Sequence, residues 1–253
     1  MQQIDPKQTT DVLVAFLKTS FQKAGFSTAV IALSGGVDSA TSCALAVRAL
    51  GADNVYPILL PYGGLSSQAT IDAVAVVENL EISSFHVTRL DIKPVVEPLI
   101  SKDPSMETIR KGNAMARARM MILFDQAKKR NALVVGTENK TEHLLGYFTR
   151  FGDEASDIEP LRDLYKTQVY DVARYLNLPD VVLSRAPTAG LWEGQTDEGE
   201  LGFSYKDADE ILFQYVDQKK KEEEITGINQ AVVQKVIARM KANGFKHQLP
   251  ILP

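Results

Sequence analysis

The feature that most constrains the fold is a repeated alternation of short β-prone runs with longer helical stretches, which continues from Thr10 to Gly136. Runs rich in valine, isoleucine and leucine predict strands at Thr28–Leu33, Val55–Leu60, Ser84–Leu90 and Ala132–Gly136. Apolar residues at helical spacing predict helices at Thr10–Ala24, Ser39–Leu50, Ser67–Leu80 and Met106–Lys129. Strands that are apolar on both faces need helices on both faces, and crossovers between parallel strands are right-handed. The alternation therefore predicts an α/β fold, a doubly wound parallel sheet with helices on both faces.

The composition is that of an ordinary globular protein. The 253 residues suffice for one large domain, which we expect to span 1–253, and 45% of them are hydrophobic. The apolar runs are shorter than a membrane span, and residues 1–10 lack the apolar stretch of a signal peptide. The single cysteine, Cys43, excludes an intramolecular disulfide and favours a reduced, cytoplasmic location. A net charge of −4 argues against a nucleic-acid partner.

Beyond Gly136 the alternation gives way to two long polar segments, 146–163 and 186–205. A helix is predicted between them at Tyr165–Leu176. Long irregular segments in a compact domain are usually binding loops or lids when they carry groups that can contact a ligand. We therefore expect both segments to be lids.

A polar turn, Ser34-Gly35-Gly36-Val37-Asp38-Ser39, follows the first predicted strand of the sheet. Ligands of open α/β sheets bind outside the carboxyl ends of the strands, and glycines together with a helix N-terminus favour an anion there. A carboxylate beside a phosphate suggests a bridging Mg²⁺. The turn therefore indicates a site for a phosphate chain with its metal. The alternative is a ligand-free turn in which Asp38 caps the helix.

The charged residues after the fourth predicted strand are interpreted from their spacing. Glu138 and Glu142 are four residues apart on a helix predicted to begin at Thr137, so we expect them to share a face. Lys166 is predicted at the start of the next helix, where a cation is unfavourable for the helix dipole. It should therefore have an anionic partner, of which the neighbouring Asp163 is one possibility.

The sequence SGGVDS resembles the signature of the PP-loop superfamily of ATP pyrophosphatases, which split ATP between its α and β phosphates. Within that superfamily the chain resembles the ammonia-dependent NAD⁺ synthetases. The matching blocks follow the family order and span nearly the whole chain: KGNAMARARM (111–120), VGTENKTEHLLGYFTRFGDEASDIEPL (135–161), LYKTQVYDVARYL (164–176), APTAGLWEGQTDEGELGFSY (186–205) and FKHQLP (245–250). The resemblance implies an adenine-nucleotide alpha-hydrolase-like fold with long lid loops.

The reaction implied by the resemblance is an amidation. The carboxylate of nicotinic acid adenine dinucleotide (deamido-NAD) attacks the α-phosphorus of ATP and releases pyrophosphate. Ammonia then displaces AMP from the acyl-adenylate, which gives NAD⁺. The family also implies ATP as co-substrate, Mg²⁺ as cofactor and a homodimer, with no nucleic acid or membrane as partner.

The resemblance also assigns roles to residues of the nucleotide site. It implies that ATP and its pyrophosphate contact Leu33, Ser34, Gly35, Gly36, Val37, Asp38, Ser39, Leu60, Thr137, Lys166 and Thr188. Backbone groups near Leu60 would recognise adenine. Asp38 and Glu142 are the implied metal ligands. Asp38, Lys166 and Asp153 are the implied catalytic residues, and Asp153 is the base that removes a proton from ammonium.

The implied contacts of the dinucleotide are Asn113, Arg117, Arg150, Asp157 and Lys246. The family places the helix that carries Arg117 at a dimer interface, so this contact can come from the neighbouring subunit. The chain departs from the family pattern at several positions. His247 replaces a frequent arginine, and the loop LLPYGG lacks the basic residue that some members place before Leu-Pro. Arg150 replaces a frequent lysine, which keeps the charge but not the geometry, and Phe245 replaces a histidine.

Other functions stay open at the level of sequence. Sulfur-transferring relatives need reactive cysteines, whereas Cys43 is predicted to be a small buried hydrophobe. A GMP-synthetase-like amidating enzyme shares SGGVDS but not the other blocks. A glutamine-dependent synthetase needs a fused glutaminase domain, for which the chain has no room. A nucleotide-binding module without catalysis is the alternative from a different class.

Overall fold

The computed structural model describes residues 3–248, so Leu249 and Pro250 of the last sequence block lie outside the described residues. The strands are β1 Ala29–Ala32, β2 Val55–Leu59, β3 Thr88–Arg89 and β4 Leu133–Val134. The first helices are α1 Pro6–Ala24, α2 Val37–Leu50, α3 Ser67–Asn79, α4 Lys93–Ile100, α5 Thr108–Arg130 and α6 Lys140–Leu145. The later helices are α7 Lys166–Tyr175, α8 Asp180–Leu183, α9 Asp197–Leu201, α10 Tyr205–Leu212 and α11 Gln230–Asn243.

The four strands form one parallel sheet in the order β3-β2-β1-β4. Ala29 of β1 lies opposite Val55 on one side and Leu133 on the other. The chain therefore adds β2 and β3 on one side of β1 and then returns to add β4 on the opposite side. Such a reversal opens a crevice at the carboxyl ends of the two strands between which the order reverses, here β1 and β4.

Helices cover both faces of the sheet, as the apolar strands predict. Ala29 and Ile31 pack in a core cluster with residues of α1, α2, α3 and α7. Val30, between them in the sequence, packs in a second cluster with residues of α4 and α5. Successive strand residues point to opposite faces, so the two clusters lie on opposite faces and the sheet is covered on both sides. The predicted fold class is confirmed.

A third cluster lies among α6, α10 and α11 and includes Leu145, Ile211 and Val236. Leu201 and Phe203, from the end of the second long segment, are buried in the same cluster. This end of segment 186–205 is therefore anchored in an apolar core.

The third strand is where the sequence interpretation fails most clearly. Of the predicted Ser84–Leu90, only Thr88–Arg89 is strand, because residues 84–86 form a turn of 3₁₀ helix that begins after Ser83. The Ser83 hydroxyl accepts a hydrogen bond from the backbone N–H of Phe85, which stabilises the turn. Helix α4 was not predicted.

In residues 3–248, every helix is too short or too polar to cross a membrane.

Candidate active site

The turn after β1 is held in shape by its own side chains. The Oγ atoms of Ser34 and Ser39 lie 3.0 Å apart, and the Ser39 hydroxyl also donates to the carbonyl of Gly36. Gly36 is the N-cap residue of α2 and provides no side-chain cap. Asp38 lies in the first turn of α2, so it is not the N-cap that the ligand-free interpretation required. The turn thus presents an uncapped helix N-terminus at the crevice, where an anion is favoured.

The two adjacent glycines have different structural environments. Gly35 has φ = +79°, and a Cβ built there would lie 2.3 Å from the carbonyl oxygen of Ala69 in α3. Gly36 has φ = −87°, and the nearest atom to a Cβ would be Ser34 Oγ at 3.5 Å. Glycine is therefore required at Gly35 by the packing of the chain itself, whereas Gly36 has room for a methyl group.

A buried lysine joins the turn to two carboxylates at the crevice. The Lys166 side chain is 3% exposed, and its Nζ lies 2.5 Å from Asp38 Oδ2 and 3.0 Å from Glu142 Oε1. Burial acts to lower the pKa of Lys166, but Asp38 and Glu142 raise it above its usual value. The amide of Asn139 donates to the second oxygen of Asp38, at 2.9 Å. The expected anionic partners are thus Asp38 and Glu142, and Asp163 is not among the ion pairs of Lys166 in the described chain.

Asp209 holds the start of α7 and the body of α6 together beneath this lysine. Its Oδ1 accepts from the Thr141 hydroxyl at 2.5 Å, and its Oδ2 accepts from the Thr167 backbone N–H at 2.8 Å. The Lys166 backbone N–H donates to Thr141 Oγ1 at 3.0 Å. A buried carboxylate at the N-terminus of α7 offsets the unfavourable position of the Lys166 cation on the helix dipole.

A cavity of about 640 Å³ opens from this cluster, a volume suited to a small-molecule ligand. The sequence-predicted residues that line it are Leu33, Ser34, Gly36, Val37, Asp38, Ser39, Leu60, Asn113, Thr137, Glu142, Asp153, Lys166, Thr188 and Lys246. The other predicted residues, Gly35, Arg117, Arg150 and Asp157, do not line it. The structure therefore brings most of the predicted site together across segments that are distant in the sequence.

Gly35 packs against Ala69 as described above, and the other three remaining residues have contacts of their own. Arg117 is exposed, and its Nε donates to the carbonyl of Arg150 at 3.2 Å. Asp157 accepts from the backbone N–H of Val134 at 2.7 Å, which stabilises the segment beside β4. The Arg150 guanidinium lies 5.5 Å from the ring centre of Phe245, so two of the residues that depart from the family pattern contact each other.

The expectation that Glu138 and Glu142 share a helix face is wrong. Helix α6 begins at Lys140 with Asn139 as its N-cap, because the Asn139 side chain accepts from the backbone N–H of Glu142. Glu138 precedes the helix and is buried against Arg162, with 2.9 Å between Oε2 and Nη2. Burial raises the pKa of Glu138 to about 8.

Asp153 lies on the cavity wall in the first long segment. Its Oδ1 accepts from the Thr149 backbone N–H at 3.0 Å, and Thr149 in turn donates its hydroxyl to Asn113 of α5. The carboxylate reaches the solvent of the cavity, yet the surrounding protein raises its pKa by desolvation. A carboxylate with a raised pKa is a better proton acceptor near neutral pH than an ordinary aspartate.

Sequence reasoning missed Arg119, which lines the cavity from α5. Its Nε donates to the backbone carbonyl of Leu60 at 3.1 Å. This carbonyl belongs to the backbone that is expected to recognise adenine, and it already accepts one hydrogen bond. The signal for its half-buried position was helical spacing, since Met115 and Leu123 lie four residues away on either side and are both buried.

Sequence reasoning also missed Asp197 and Tyr205, which connect the second long segment to Glu142. The Tyr205 hydroxyl lies 3.0 Å from Asp197 Oδ2 and 3.3 Å from Glu142 Oε1. The Tyr205 ring lies beneath Lys166, with 4.9 Å between the ring centre and Nζ. No local pattern marks these two residues, because their contacts with Tyr147 and Glu142 join positions that are distant in the sequence.

The carboxylates of the cluster suit a magnesium ion that also binds a phosphate chain. Among residues 3–248 no group of three or more His, Cys, Asp or Glu residues is arranged to hold a metal by itself. Mg²⁺ commonly takes one or two carboxylates and completes its shell with phosphate oxygens and water. Asp38 and Glu142 converge on one cation, Lys166, and therefore fit this requirement.

Comparison with known proteins places this architecture in one family. The family model described as NAD synthase matches residues 9–250. The NH(3)-dependent NAD(+) synthetase of Fusobacterium nucleatum is 43% identical over 97% of this chain and 95% of its own length. The solved NMN synthetase from Francisella tularensis has a TM-score of 0.88 at 34% identity and covers 99% of both chains. The NH3-dependent NAD synthetase from Campylobacter jejuni has a TM-score of 0.84 at 28% identity, over 99% of this chain and 100% of that one. The chain belongs to the NAD synthase family.

Proposed function

We propose that this chain catalyses the ATP-dependent amidation of deamido-NAD by ammonia, with NAD⁺, AMP and pyrophosphate as products. The observation that carries the proposal is the buried Lys166 between Asp38 and Glu142, next to an uncapped helix N-terminus in a cavity of about 640 Å³. A cation, two carboxylates and free backbone N–H groups together suit a metal-bound phosphate chain.

The first half of the reaction needs charge neutralisation at the phosphates of ATP. Asp38 and Glu142 would hold Mg²⁺, which supplies positive charge at the phosphate oxygens when it is bound. With both carboxylates directed to the metal, the ammonium of Lys166 is left to donate to phosphate oxygens. Lys166 then stabilises the negative charge that develops as the substrate carboxylate attacks the α-phosphorus and pyrophosphate leaves.

The charges on the cavity wall suit an anionic second substrate. Arg119, Arg239 and Lys246 line the cavity, and none has a described Asp or Glu oxygen within 4.0 Å. Lys246 donates to the carbonyls of Gly146 and Phe148. Deamido-NAD carries two phosphates and a carboxylate, so cations without carboxylate partners support it as the ligand.

The second half of the reaction needs free ammonia. Ammonium has no lone pair with which to attack a carbonyl, so a base must remove one proton first. Asp153 is the proposed base, because it lines the cavity and its pKa is raised by desolvation. The ammonia formed attacks the acyl carbon, the nitrogen loses a second proton to solvent as the amide bond forms, and AMP leaves with the electrons of the broken C–O bond.

An end-point assay tests this proposal. The protein is incubated with ATP, Mg²⁺ and deamido-NAD, with either ammonium chloride or glutamine, and NAD⁺, AMP and pyrophosphate are resolved by chromatography. We expect equal amounts of NAD⁺ and AMP, with ammonium preferred over glutamine. ATP binding without AMP formation from either nitrogen source would reject the proposal and favour a non-catalytic nucleotide-binding module. Asp153→Asn is the matched variant for the base and should slow amide formation more than pyrophosphate release.

A second candidate substrate is nicotinic acid mononucleotide, which the same chemistry would convert to NMN. The observation that favours it is the structural match to an NMN synthetase, which exceeds that to the Campylobacter jejuni NAD synthetase in TM-score and in identity. Parallel measurement of kcat/KM for the two substrates decides between them. A preference of tenfold or more for the mononucleotide would replace deamido-NAD as the assigned substrate.

We also infer a homodimer formed through α5, in a cytoplasmic protein that uses free ammonia. Ile109 and Met121 of α5 are 63% and 54% exposed, which is unusual for large apolar side chains. Arg117 of the same helix does not line its own cavity, which suits a contact to a neighbouring subunit's substrate. Light scattering coupled to size exclusion should give twice the 27.9 kDa chain mass. Met121→Glu should shift the protein towards the monomer.

A further inference from the structure

The second long segment and the proposed metal ligand Glu142 meet at one hydroxyl group. Tyr205 is 4% exposed and is both the last residue of the segment and the first residue of α10. Its hydroxyl lies 3.0 Å from Asp197 Oδ2 and 3.3 Å from Glu142 Oε1. A phenol has one proton to donate, so these two carboxylates share a single donor.

Asp197 extends this contact into the segment that precedes it. Its side chain is buried, and its Oδ1 accepts from the backbone N–H of Ala189 at 3.0 Å. The same oxygen accepts from the Tyr147 hydroxyl at 3.1 Å. Asp197 therefore ties the middle of the segment 186–205 to the tyrosine that touches Glu142.

The aromatic ring of Tyr205 also contacts Lys166, in addition to the contact of its hydroxyl with Glu142. The Lys166 ammonium lies 4.9 Å from the ring centre and 3.0 Å from Glu142 Oε1. If Glu142 bound a metal in place of Lys166, the Tyr205 hydroxyl would supply a hydrogen-bond donor beside its carboxylate. Donors in this position orient a metal-binding carboxylate, and their loss typically lowers metal affinity 10- to 100-fold.

We propose that Tyr205 is a positioning residue that couples magnesium binding at Glu142 to the order of the segment 186–205. The proposal rests on the nucleotide site described above. It predicts that Mg²⁺–ATP fixes the segment through Tyr205 and Asp197, and that the segment in turn holds Glu142 in the geometry the metal needs.

The chain carries its own probe for this coupling. Trp192 is the single tryptophan, lies in the segment 186–205 and lines the cavity. Its fluorescence therefore reports the environment of the segment, and this measurement does not require the protein to turn over substrate. A titration of Mg²⁺ at fixed ATP gives an apparent magnesium affinity from this signal, and a titration of ATP in EDTA gives the metal-free affinity.

The test compares Tyr205→Phe, which keeps the ring and removes the hydroxyl, with the parent protein. We expect the apparent magnesium affinity to fall about tenfold, with ATP affinity in EDTA changed less than twofold. Tyr147→Phe is the matched control, because it removes the other hydroxyl from Asp197, and that hydroxyl donates to Asp197 and Glu200 rather than to the Glu142 carboxylate. It should keep the magnesium dependence of the parent protein. Far-ultraviolet circular dichroism checks that each variant is folded.

A double-mutant cycle with Glu142→Gln keeps the proposal falsifiable if Tyr205→Phe is also destabilised. In the Glu142→Gln background, Tyr205→Phe should have no further effect on the magnesium dependence. Additive effects would overturn the coupling, as would a normal magnesium dependence in Tyr205→Phe or an equal loss in Tyr147→Phe. If the parent protein itself fails to bind Mg²⁺–ATP, the proposed function is rejected together with the coupling. If the parent binds and only the variant result fails, the proposed function stands.

Discussion

The two neighbouring glycines of the turn after β1 serve different purposes, one in stability and the other in ligand binding. Substitution of each by alanine adds one methyl group and tests the two effects separately. At Gly35 an added Cβ would meet the Ala69 carbonyl oxygen at 2.3 Å, about 1 Å closer than an ordinary contact, and φ is +79°. The left-handed backbone costs an L-residue about 1–2 kcal/mol, and an overpacked core costs about 1–3 kcal/mol. Gly35→Ala should therefore lower the free energy of unfolding by about 2–5 kcal/mol, a large part of the roughly 5–15 kcal/mol of a typical domain.

Gly36→Ala is the matched control at the next residue. Its φ of −87° is open to alanine, and the nearest atom to the new Cβ is Ser34 Oγ at 3.5 Å. Alanine is a poorer N-cap than glycine, so we expect a loss of less than about 1 kcal/mol. The larger effect should be on ligand binding. If the Gly36 backbone lies close to a phosphate of bound ATP, the methyl group should weaken ATP binding at least tenfold.

Urea unfolding followed by circular dichroism gives both free energies, and calorimetric titration with ATP gives the affinities. A Gly35→Ala free energy of unfolding within about 0.5 kcal/mol of the parent value would contradict the strain and the steric overlap at this residue, because together they should cost more. A Gly36→Ala variant that binds ATP as tightly as the parent would contradict a close approach of this backbone to the phosphates.

Three further predictions follow from buried groups. Lys166→Met leaves the largely buried carboxylates of Asp38 and Glu142, which are 17% and 16% exposed, without their cation. We therefore expect a loss of up to about 3–5 kcal/mol in unfolding free energy at pH 7, and no measurable loss in urea unfolding would contradict the ion pair. The pKa of Glu138 is raised by burial to about 8, so the native state binds the proton more tightly and unfolding free energy should fall as pH rises from 4.5 to 8. Glu138→Gln should flatten that slope, and an unchanged slope would assign it to other groups. Cys43 is 0% exposed and burial raises its pKa to about 12, so a thiol reagent should react with it only in denaturant, whereas rapid reaction of the native protein would show an open structure.

Much of the fold could be predicted because the pattern that specifies it is local. Predominantly apolar strands, such as β1 and β2, predict a sheet covered on both faces. This prediction needs only the sequence of each strand and not the identity of the segments that pack on it. The third strand could not be predicted to its ends, since the Ser83 hydroxyl stabilises a 3₁₀ turn in part of the apolar run. A side-chain hydrogen bond of this kind outweighs β propensity but leaves no periodic signal.

The candidate site was predictable only where neighbouring residues share it. The turn Ser34–Ser39 is contiguous, so its anion-binding character can be seen from the sequence. The error at Glu138 arose because Asn139, two residues after the expected Thr137, caps the helix. Asp209 and Tyr205 could not be found, because each acts on residues of α6, 68 and 63 positions earlier in the chain. Burial and partnership over such distances exist only in the folded chain.

The ion pair between Lys166 and Asp38 also bears on the order of folding. The two residues are 128 positions apart in the sequence, and the sheet between them is entirely parallel. Contacts of such long range must overcome a large loop-closure entropy, which makes them late events in a refolding experiment. Secondary structure should therefore return before the affinity for nucleotide does. A refolding intermediate of this protein would have its helices but no measurable affinity for ATP.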